Sequence, residues 1–423
     1  MSGSNRPTLH ALLAIFAAVA LLASPAALAV SGVVIDQATQ QPIAGAIVTT
    51  SAGVILTDEH GQFAIDQAVT DIAARAPGYL RTSMKVSGDE PITLTLAPFR
   101  PTAVYLSVYG IASSSLRGQA IGLAKNTAIN ALVIDAKGDR GLTPYRSAAR
   151  EAIGAAAKVS ARAPYIQDFP GLIAQLHALH LYLIARIVVF KDEPLAEAHP
   201  EWSVHNAQGK PWRDREGLQW MDPFSREVWQ HNLDVAEEAA RMGFDEIQFD
   251  YVRFPDQAGL RFALPNTRDN RTAAITGFLQ AARARLAPYN VFVAADIFGY
   301  VCWNTNDTAI GQQIEQLGAA LDYISPMLYP SGFTWSLPGV ANPVAEPGQI
   351  VARSLAAAIR RTGLAGVRFR PWLQAFRDYA FDRRVFDATA IRAQTDAADA
   401  AGTDGWMLWN PRNQYDANDL PRH

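Results

Sequence analysis

Two aspartates are candidates for chemistry, because each ends a run of largely apolar residues in the middle of the chain. They are Asp250, after positions 246–249, and Asp296, after positions 291–295. A carboxylate among apolar residues is costly to bury, so we expect each to be paired or functional. Two close carboxyl groups also raise the pKa of one of them, which gives one protonated acid and one ionised carboxylate. The structural alternatives are a salt bridge from Asp250 to Arg253 or a neighbouring strand, and a helix cap by Asp296.

The segments that carry these aspartates belong to a repeating pattern of apolar runs and Ala-rich amphipathic stretches. The pattern predicts eight strands, at 104–109, 131–135, 181–190, 246–251, 291–298, 321–327, 371–376 and 405–409. Helices are predicted between them, among them 228–242, 272–286, 349–361 and 385–401. Eight alternations over residues 102–423 predict an α/β fold of the (β/α)8 TIM barrel type. An open doubly wound sheet is the alternative, although no glycine-rich phosphate loop follows the first strand. Too little chain follows Trp409 for a last helix, which leaves the closure of the barrel open.

Strand periodicity predicts where the two aspartates point. In the fourth predicted strand, Gln248 and Asp250 lie on one face, and Ile247 and Phe249 on the other. Barrel enzymes act at the carboxyl ends of their strands, so Asp250 is expected at the mouth. Asp296 lies near the end of the next strand, and adjacent strands are about 4.8 Å apart. Glycosidases use carboxyl pairs roughly 5–5.5 Å apart for retention and roughly 6.5–9.5 Å apart for inversion, so the pair predicts glycosidic chemistry.

Further polar and aromatic residues lie at strand ends and in the loops that follow them. Together they predict a hydrogen-bonding floor with flat platforms for sugar rings, and ordinary packing is the alternative for each of them. Trp212 and Trp220 lie in the long loop after the third strand, and loops commonly carry function. We predict substrate binding by Asp135, Lys137, Arg186, Trp212, Trp220, Gln248, Arg253, Met327, Tyr329, Gln374 and Trp409.

The first 29 residues have the pattern of a secretory signal peptide. Arg6 gives a weak positive charge, residues 11–22 are apolar, and Ala27 and Ala29 are the small residues that a signal peptidase requires. Cleavage after Ala29 predicts an exported protein, periplasmic or extracellular. An uncleaved membrane anchor is the alternative.

Residues 30–98 have a different sequence pattern, in which short β-type runs are separated by turn residues. The runs at 32–35, 46–50, 63–65 and 92–96 predict a small antiparallel sandwich. The segments 32–36, 42–46, 57–58 and 61–63 (GVVID, PIAGA, TD and GQF) resemble the carboxypeptidase regulatory-like domain. That resemblance implies a fold and no catalysis. Residues 99–101 are the predicted linker to the barrel.

Composition limits the partners of the chain. Its formal net charge is -3 without a long run of one sign, which does not favour a nucleic acid. Histidines are few and none has the spacing of a metal-ligand set, so we predict no metal and no cofactor. No later segment is apolar enough to span a membrane, and the single cysteine, Cys302, has no partner for a disulfide. We expect a monomer that acts on a polysaccharide or oligosaccharide, free of the membrane after signal cleavage.

Three blocks of sequence resemble a bacterial family of glycoside-hydrolase-like barrels related to the alpha-amylase superfamily. They are PWRD with WMDP (211–214 and 220–223), DEIQFDYVRFP (245–255) and SPMLYP (325–330). The resemblance implies that Asp250 is the nucleophile and that an acid follows on the next strand. Asp296 stands where those enzymes have Glu, and Gln248 where they have Arg. Chitinase-like barrels are the nearest alternative, but their acid would align with Val252.

The sequence therefore predicts hydrolysis of an O-glycosidic bond in a cell-envelope or extracellular polysaccharide. Asp250 would act as nucleophile or base and Asp296 as general acid. A carbohydrate-binding barrel without catalysis is the first alternative, favoured by the missing Arg and Glu. A metal-dependent esterase is the second, with Asp135, Asp139, Asp250 and Asp296 as ligands.

Overall fold

The computed structural model describes residues 30–67, 69–86, 90–155 and 165–422, and the predicted signal peptide lies outside these ranges. No helix within them is long and apolar enough to cross a membrane. The amino-terminal part contains seven strands: β1 (Val30–Asp36), β2 (Ile47–Thr50), β3 (Gly53–Leu56), β4 (Gln62–Ile65), β5 (Asp71–Arg75), β6 (Thr82–Lys85) and β7 (Ile92–Leu96).

These strands form two sheets, β4-β1-β7 and β3-β2-β5-β6, with Val34, Val48, Ile72 and Leu94 in a shared core. The smaller all-β region is therefore as predicted, but it is not wholly antiparallel, because β1 and β7 pair in parallel. A hairpin would force the two strands to be antiparallel, but none connects β1 and β7. The chain reaches β7 from β6 of the other sheet, so β7 can run in the same direction as β1. Backbone approach is close in this pair: a Cβ on Gly32 would lie 2.1 Å from a carbonyl oxygen of β7.

The remaining strands close into a parallel eight-stranded barrel, which confirms the predicted fold. They are β8 (Thr102–Leu106), β9 (Ala131–Lys137), β10 (Tyr182–Val188), β11 (Glu246–Asp250), β12 (Phe292–Phe298), β13 (Tyr323–Met327), β14 (Trp372–Gln374) and β15 (Trp406–Trp409). The helices of the described ranges are α1 (Val108–Ala112), α2 (Ser114–Asn126), α3 (Ala148–Ala152), α4 (Phe169–Ala178), α5 (Glu193–Ala198), α6 (Arg226–Arg241), α7 (Arg268–Leu286), α8 (Ile314–Leu317), α9 (Pro347–Thr362) and α10 (Ala388–Ala400).

Local sequence explains where the helices begin and which strand residues point out of or into the barrel. Side-chain oxygens of Ser225, Thr267 and Asp387 cap α6, α7 and α10, because each accepts a hydrogen bond from an otherwise unpaired backbone N–H. Along β11, Ile247 and Phe249 pack outward in the main hydrophobic core. The alternate residues of β11 point into the barrel, as period-two alternation predicts.

The barrel closes completely, although no helix follows β15 in residues 410–422. Tyr415 lies across the seam: its hydroxyl accepts from the Tyr105 N–H at 3.0 Å and lies 3.1 Å from the Leu408 carbonyl oxygen. Asn413 also accepts a hydrogen bond from Ser107, just beyond β8. The chain after Trp409 thus replaces the last helix, which settles the question that the sequence left open.

The sandwich packs against the end of the barrel where the strands begin. Arg75 is buried there, with its Nε 3.6 Å from Asp322 and a nitrogen 3.2 Å from the Asn290 side-chain oxygen. Arg81 binds Asp245 at the start of β11, and Phe99 stacks on Tyr182 inside the barrel. The sandwich therefore covers the bottom of the barrel, opposite the carboxyl ends of the strands.

Candidate active site

The mouth of the barrel is organised around the guanidinium of Arg186. Its side chain is 1% exposed and donates to Asp250 Oδ2 from Nε at 3.0 Å and from Nη2 at 2.5 Å. Nη1 donates to Asp135 at 2.7 Å, and Nη2 also reaches Asp139 at 2.9 Å. Burial opposes the charge, but the three carboxylates outweigh it and raise the pKa of Arg186. Arg186 therefore fixes these aspartates relative to one another.

Strand register brings these residues to one level. Arg186 of β10 pairs with Asp135 on β9 and with Gln248 on β11. Asp250 lies two residues beyond Gln248, on the same inward face. The Arg186 side chain therefore reaches Asp250 by extending two residues' length toward the mouth. Because side chains alternate between the two faces of a strand, Arg186 and its aspartate partners on the two neighbouring strands all point into the barrel.

Asp250 and Asp296 lie beside each other, as predicted. Phe249 pairs with Ala295, and each aspartate is the next residue on its strand. The Oδ2 atoms of the two aspartates lie 3.0 and 4.0 Å from the same Arg186 Nε. These oxygens are therefore at most about 7 Å apart, which is compatible with the carboxyl separations of glycosidases.

The environment of Asp296 differs from that of Asp250. Asp296 Oδ1 accepts one hydrogen bond, from Trp372 Nε1 at 2.8 Å, while its buried Oδ2 has no hydrogen-bond partner among the described residues. Burial, and next the charge of Asp250, raise the pKa of Asp296 well above its usual value. Asp250 instead takes two hydrogen bonds from a guanidinium. One carboxyl group is therefore suited to carry a proton and the other to remain a charged acceptor.

The backbone turns sharply after Asp250. Tyr251 has φ 49°, in the left-handed region that residues other than glycine rarely occupy. Its N–H donates to Asp250 Oδ1 at 2.5 Å, so both oxygens of this carboxylate are held. Strained conformations of this kind commonly mark functional sites. The Tyr251 ring packs edge to face against Trp220.

Aromatic rings wall the carboxylate cluster on the side of β8 and β15. Tyr105 stacks on Trp409 with ring centroids 3.9 Å apart, and the Arg186 guanidinium lies 4.9 Å from the Trp409 ring centroid. The Tyr105 hydroxyl donates to Asp135 at 2.7 Å. Burial raises the pKa of Asp135 to about 6, with Arg186 opposing and Asp139 adding to the rise. The sequence interpretation missed Tyr105, although it occupies an inward position of the first barrel strand.

Comparison with known proteins agrees with this geometry. Residues 103–415 match the protein family described as "Putative glycosyl hydrolase domain". The chain belongs to that family. No curated protein matches it.

Two solved structures share the barrel with this glycosyl hydrolase family member. The glycoside hydrolase domain of PgaB (BpsB) from Bordetella bronchiseptica is 17% identical, with a TM-score of 0.55 over 75% of this chain and 95% of that one. A beta-galactosidase from the psychrophilic Marinomonas ef1 is 12% identical, with a TM-score of 0.54 over 73% of this chain and 54% of that one. A hypothetical protein from Ruminiclostridium thermocellum ATCC 27405 is 33% identical over 46% of this chain and 96% of that one, with a TM-score of 0.39. At such low identity, the first two show the fold alone.

Several residues predicted to bind substrate do lie at the mouth of this hydrolase domain. Met327, Tyr329 and Trp409 are partly exposed there. Asp135 and Trp409 line a cavity of about 200 Å³, while Trp212 and Arg253 line a second one of about 270 Å³ beside Tyr251. Asp139 also lines the first cavity, and Tyr251, which directly follows Asp250, lines the second.

Other predicted binding residues are held by the protein itself. Lys137 is fully buried and donates to Asp192 at 2.7 Å, and burial lowers its pKa to about 8. Gln374 is bound to Ser331, and Gln248 donates to Ser325 deep inside the barrel. These three side chains are therefore corrected from substrate contacts to supports of the barrel and its loops. Trp220 is only 3% exposed, but its ring lines the second cavity beside Tyr251.

Arg186 is corrected in the same way, because its nitrogens serve the aspartates. One structural alternative that the sequence left for Asp250, a salt bridge to a neighbouring strand, is present. Asp250 binds Arg186 of the neighbouring strand, and no ion pair joins it to Arg253 in the described ranges. A metal site formed by Asp135, Asp139, Asp250 and Asp296 is not supported, because the cation on which these four carboxylates converge is the guanidinium of Arg186.

We predict that Arg186→Lys destabilises the protein by roughly 2–4 kcal/mol. A lysine has one point charge and three donors, so it cannot reproduce the fork that serves three aspartates at once, and buried carboxylates lose their partner. The free energy of unfolding in urea measures the effect. Arg384→Lys is the control, because Arg384 and its partner Asp382 are 39% and 36% exposed and such pairs contribute little. Equal losses in the two variants would contradict the role of Arg186.

Proposed function

We propose that this protein hydrolyses O-glycosidic bonds in a polysaccharide, with Asp296 as general acid and Asp250 as nucleophile or base. The observation that carries the proposal is the contrast between the two carboxyl groups. They are neighbours on β11 and β12, yet one is bound by a guanidinium and the other is buried with a free oxygen. A glycosidase requires that asymmetry, because one group must deliver a proton while the other must be charged.

The reaction begins with protonation of the glycosidic oxygen. Asp296 Oδ2 gives its proton to that oxygen while the bond to the anomeric carbon breaks, and the leaving sugar departs as an alcohol. Asp250 then either attacks the anomeric carbon, to form a glycosyl-enzyme ester, or removes a proton from the water that attacks it. In the first case, water cleaves the ester and Asp296 recovers its proton from that water. The negative charges of Asp250 and Asp135 favour the positive charge that develops on the sugar ring.

Arg186 also supports a relation to the amylase-like enzymes. Amylase-like enzymes have an arginine two residues before the nucleophile, and this chain has Gln248 at that position. Arg186 is the strand-register partner of Gln248 and reaches Asp250 from there. The missing arginine was one reason to consider a binding protein without catalysis, and a guanidinium on Asp250 supplied by Arg186 supports the catalytic alternative.

We further propose that the polysaccharide lies across the mouth and that the protein is exported. Trp409, Tyr329 and Trp212 offer partly exposed rings on which sugars can stack. Export rests on the signal pattern of residues 1–29. Cell fractionation tests it: the full chain should leave the cytoplasm, whereas a chain that begins at Val30 should remain there.

We predict that Asp250→Asn and Asp296→Asn each lower kcat on the cleaved polysaccharide by at least about 10²-fold, because each removes a group that takes or gives a proton or forms the ester. Release of reducing ends is the measurement. Asp234→Asn is the control, because this helix α6 residue forms a partly exposed pair with Arg285. Thermal unfolding shows whether each variant is folded. Unchanged kcat in both folded variants would refute the assignment.

We predict that Trp372→Phe moves the alkaline limb of the kcat/KM profile to higher pH. The indole hydrogen bond favours ionised Asp296 and lowers its pKa, so its loss keeps the acid protonated at a pH where the native enzyme has lost the proton. Trp406→Phe is the matched control, because Trp406 is a buried tryptophan in the outer core of the barrel wall. A limb that stays in place, or moves equally in both variants, would show that Trp372 does not act on the acid.

A further inference from the structure

A cavity of about 270 Å³ lies beside the catalytic aspartates, formed by the loop after β10 and the turn after β11. The rings of Trp220 and Tyr251 meet edge to face in its wall, with centroids 5.5 Å apart. Trp212 is part of the same wall and is partly exposed. Because Tyr251 directly follows Asp250, a ligand in this cavity lies next to the site of bond cleavage.

Two cations border these rings, but only one of them has carboxylate partners. Lys191 binds Asp214 at 3.1 Å and Glu216 at 2.8 Å, so its charge is satisfied within the protein. The Arg253 guanidinium lies 4.9 Å from the Trp220 ring centroid and 5.3 Å from that of Tyr251. Its one hydrogen bond goes to the neighbouring Phe254 carbonyl at 3.1 Å, and no carboxylate in the described part of the chain pairs with it. The stacked guanidinium thus has N–H groups left for a ligand.

We infer that this cavity is a subsite for a sugar that bears a carboxylate, and that Arg253 recognises the carboxylate. A planar guanidinium binds a carboxylate through two parallel hydrogen bonds, and stacking on two rings holds Arg253 ready to make them. The sugar ring itself can lie against Trp212. This inference rests on the proposed function and names the class of substrate: a polysaccharide that contains hexuronic acid.

The distribution of charge favours this position for the acidic sugar. At the cleavage position, Asp135, Asp139, Asp250 and Asp296 surround a single arginine, so a sugar carboxylate there would meet repulsion. In the cavity, Lys191 binds Asp214 and Glu216, and Asp256 is the one further lining carboxylate. Arg215 and Arg253 also line it, and neither pairs with a carboxylate in the described ranges. The acidic unit is therefore expected beside the cleaved unit and not at it.

The test uses uronic-acid polysaccharides and the same polymers after chemical reduction of their carboxyl groups to alcohols. The native enzyme is expected to cleave an acidic polymer with a kcat/KM at least about tenfold above that for its reduced form. Arg253→Gln should lose most of this preference through a higher KM on the acidic polymer, with little change on the reduced one. Arg226→Gln is the matched control, because Arg226 also stacks on a tryptophan, Trp229, but does not line the cavity.

Each outcome separates this inference from the proposed function. Equal cleavage of acidic and reduced polymers by the native enzyme, or equal losses on both in Arg253→Gln, would overturn the acidic-sugar subsite. Cleavage of neutral glycans alone would also overturn the subsite, while the proposed function would stand. If the native enzyme cleaves none of the acidic, reduced or neutral polymers, both fail.

Discussion

Four aspartate side chains converge on one buried guanidinium at the mouth of the barrel, and the candidate active site depends on this arrangement. Arg186 holds Asp250 with two hydrogen bonds, holds Asp135 and Asp139 with one each, and stops 4.0 Å short of Asp296. One cation cannot satisfy four carboxylates equally. We propose that the carboxyl group with the least contact, Asp296, carries a proton and that the most tightly held one, Asp250, is the charged acceptor.

The rest of the structure stabilises Arg186 and its aspartates, whose burial would be unfavourable if they were unpaired. Three adjacent strands bring the guanidinium and its partners to one level, and the stacked rings of Tyr105 and Trp409 shield it from solvent. A second buried arginine, Arg370, binds Glu246 and Asp404 toward the bottom of the barrel. The sandwich covers that end, so the mouth is free for a substrate. The sandwich thus lies at one end and the candidate active site at the other, a usual division in this fold.

The sequence predicted the architecture and the acid pair because both follow from short-range rules. Alternating apolar runs identified all eight barrel strands, and period-two alternation put Asp250 inward at a strand end. The ion-pair partners of buried side chains were less predictable, because they depend on which strands become neighbours and how far long side chains reach. Arg186 and Lys137 were both interpreted as substrate contacts, yet one serves the aspartates and the other is fully buried against Asp192. Nothing in the local sequence around Trp372 indicates that its indole reaches Asp296.

The most direct test of the account is the protonation state of the two carboxyl groups at neutral pH. Carbon-13 NMR of the enzyme labelled at aspartate side chains reports each carboxyl carbon, and signals are assigned by their loss in Asp250→Asn and Asp296→Asn. We predict that the Asp296 carbon keeps the chemical shift of a protonated acid at pH 7, while the Asp250 carbon has that of a carboxylate. A charged Asp296 at that pH, or a proton on Asp250 instead, would contradict the assignment of acid and base.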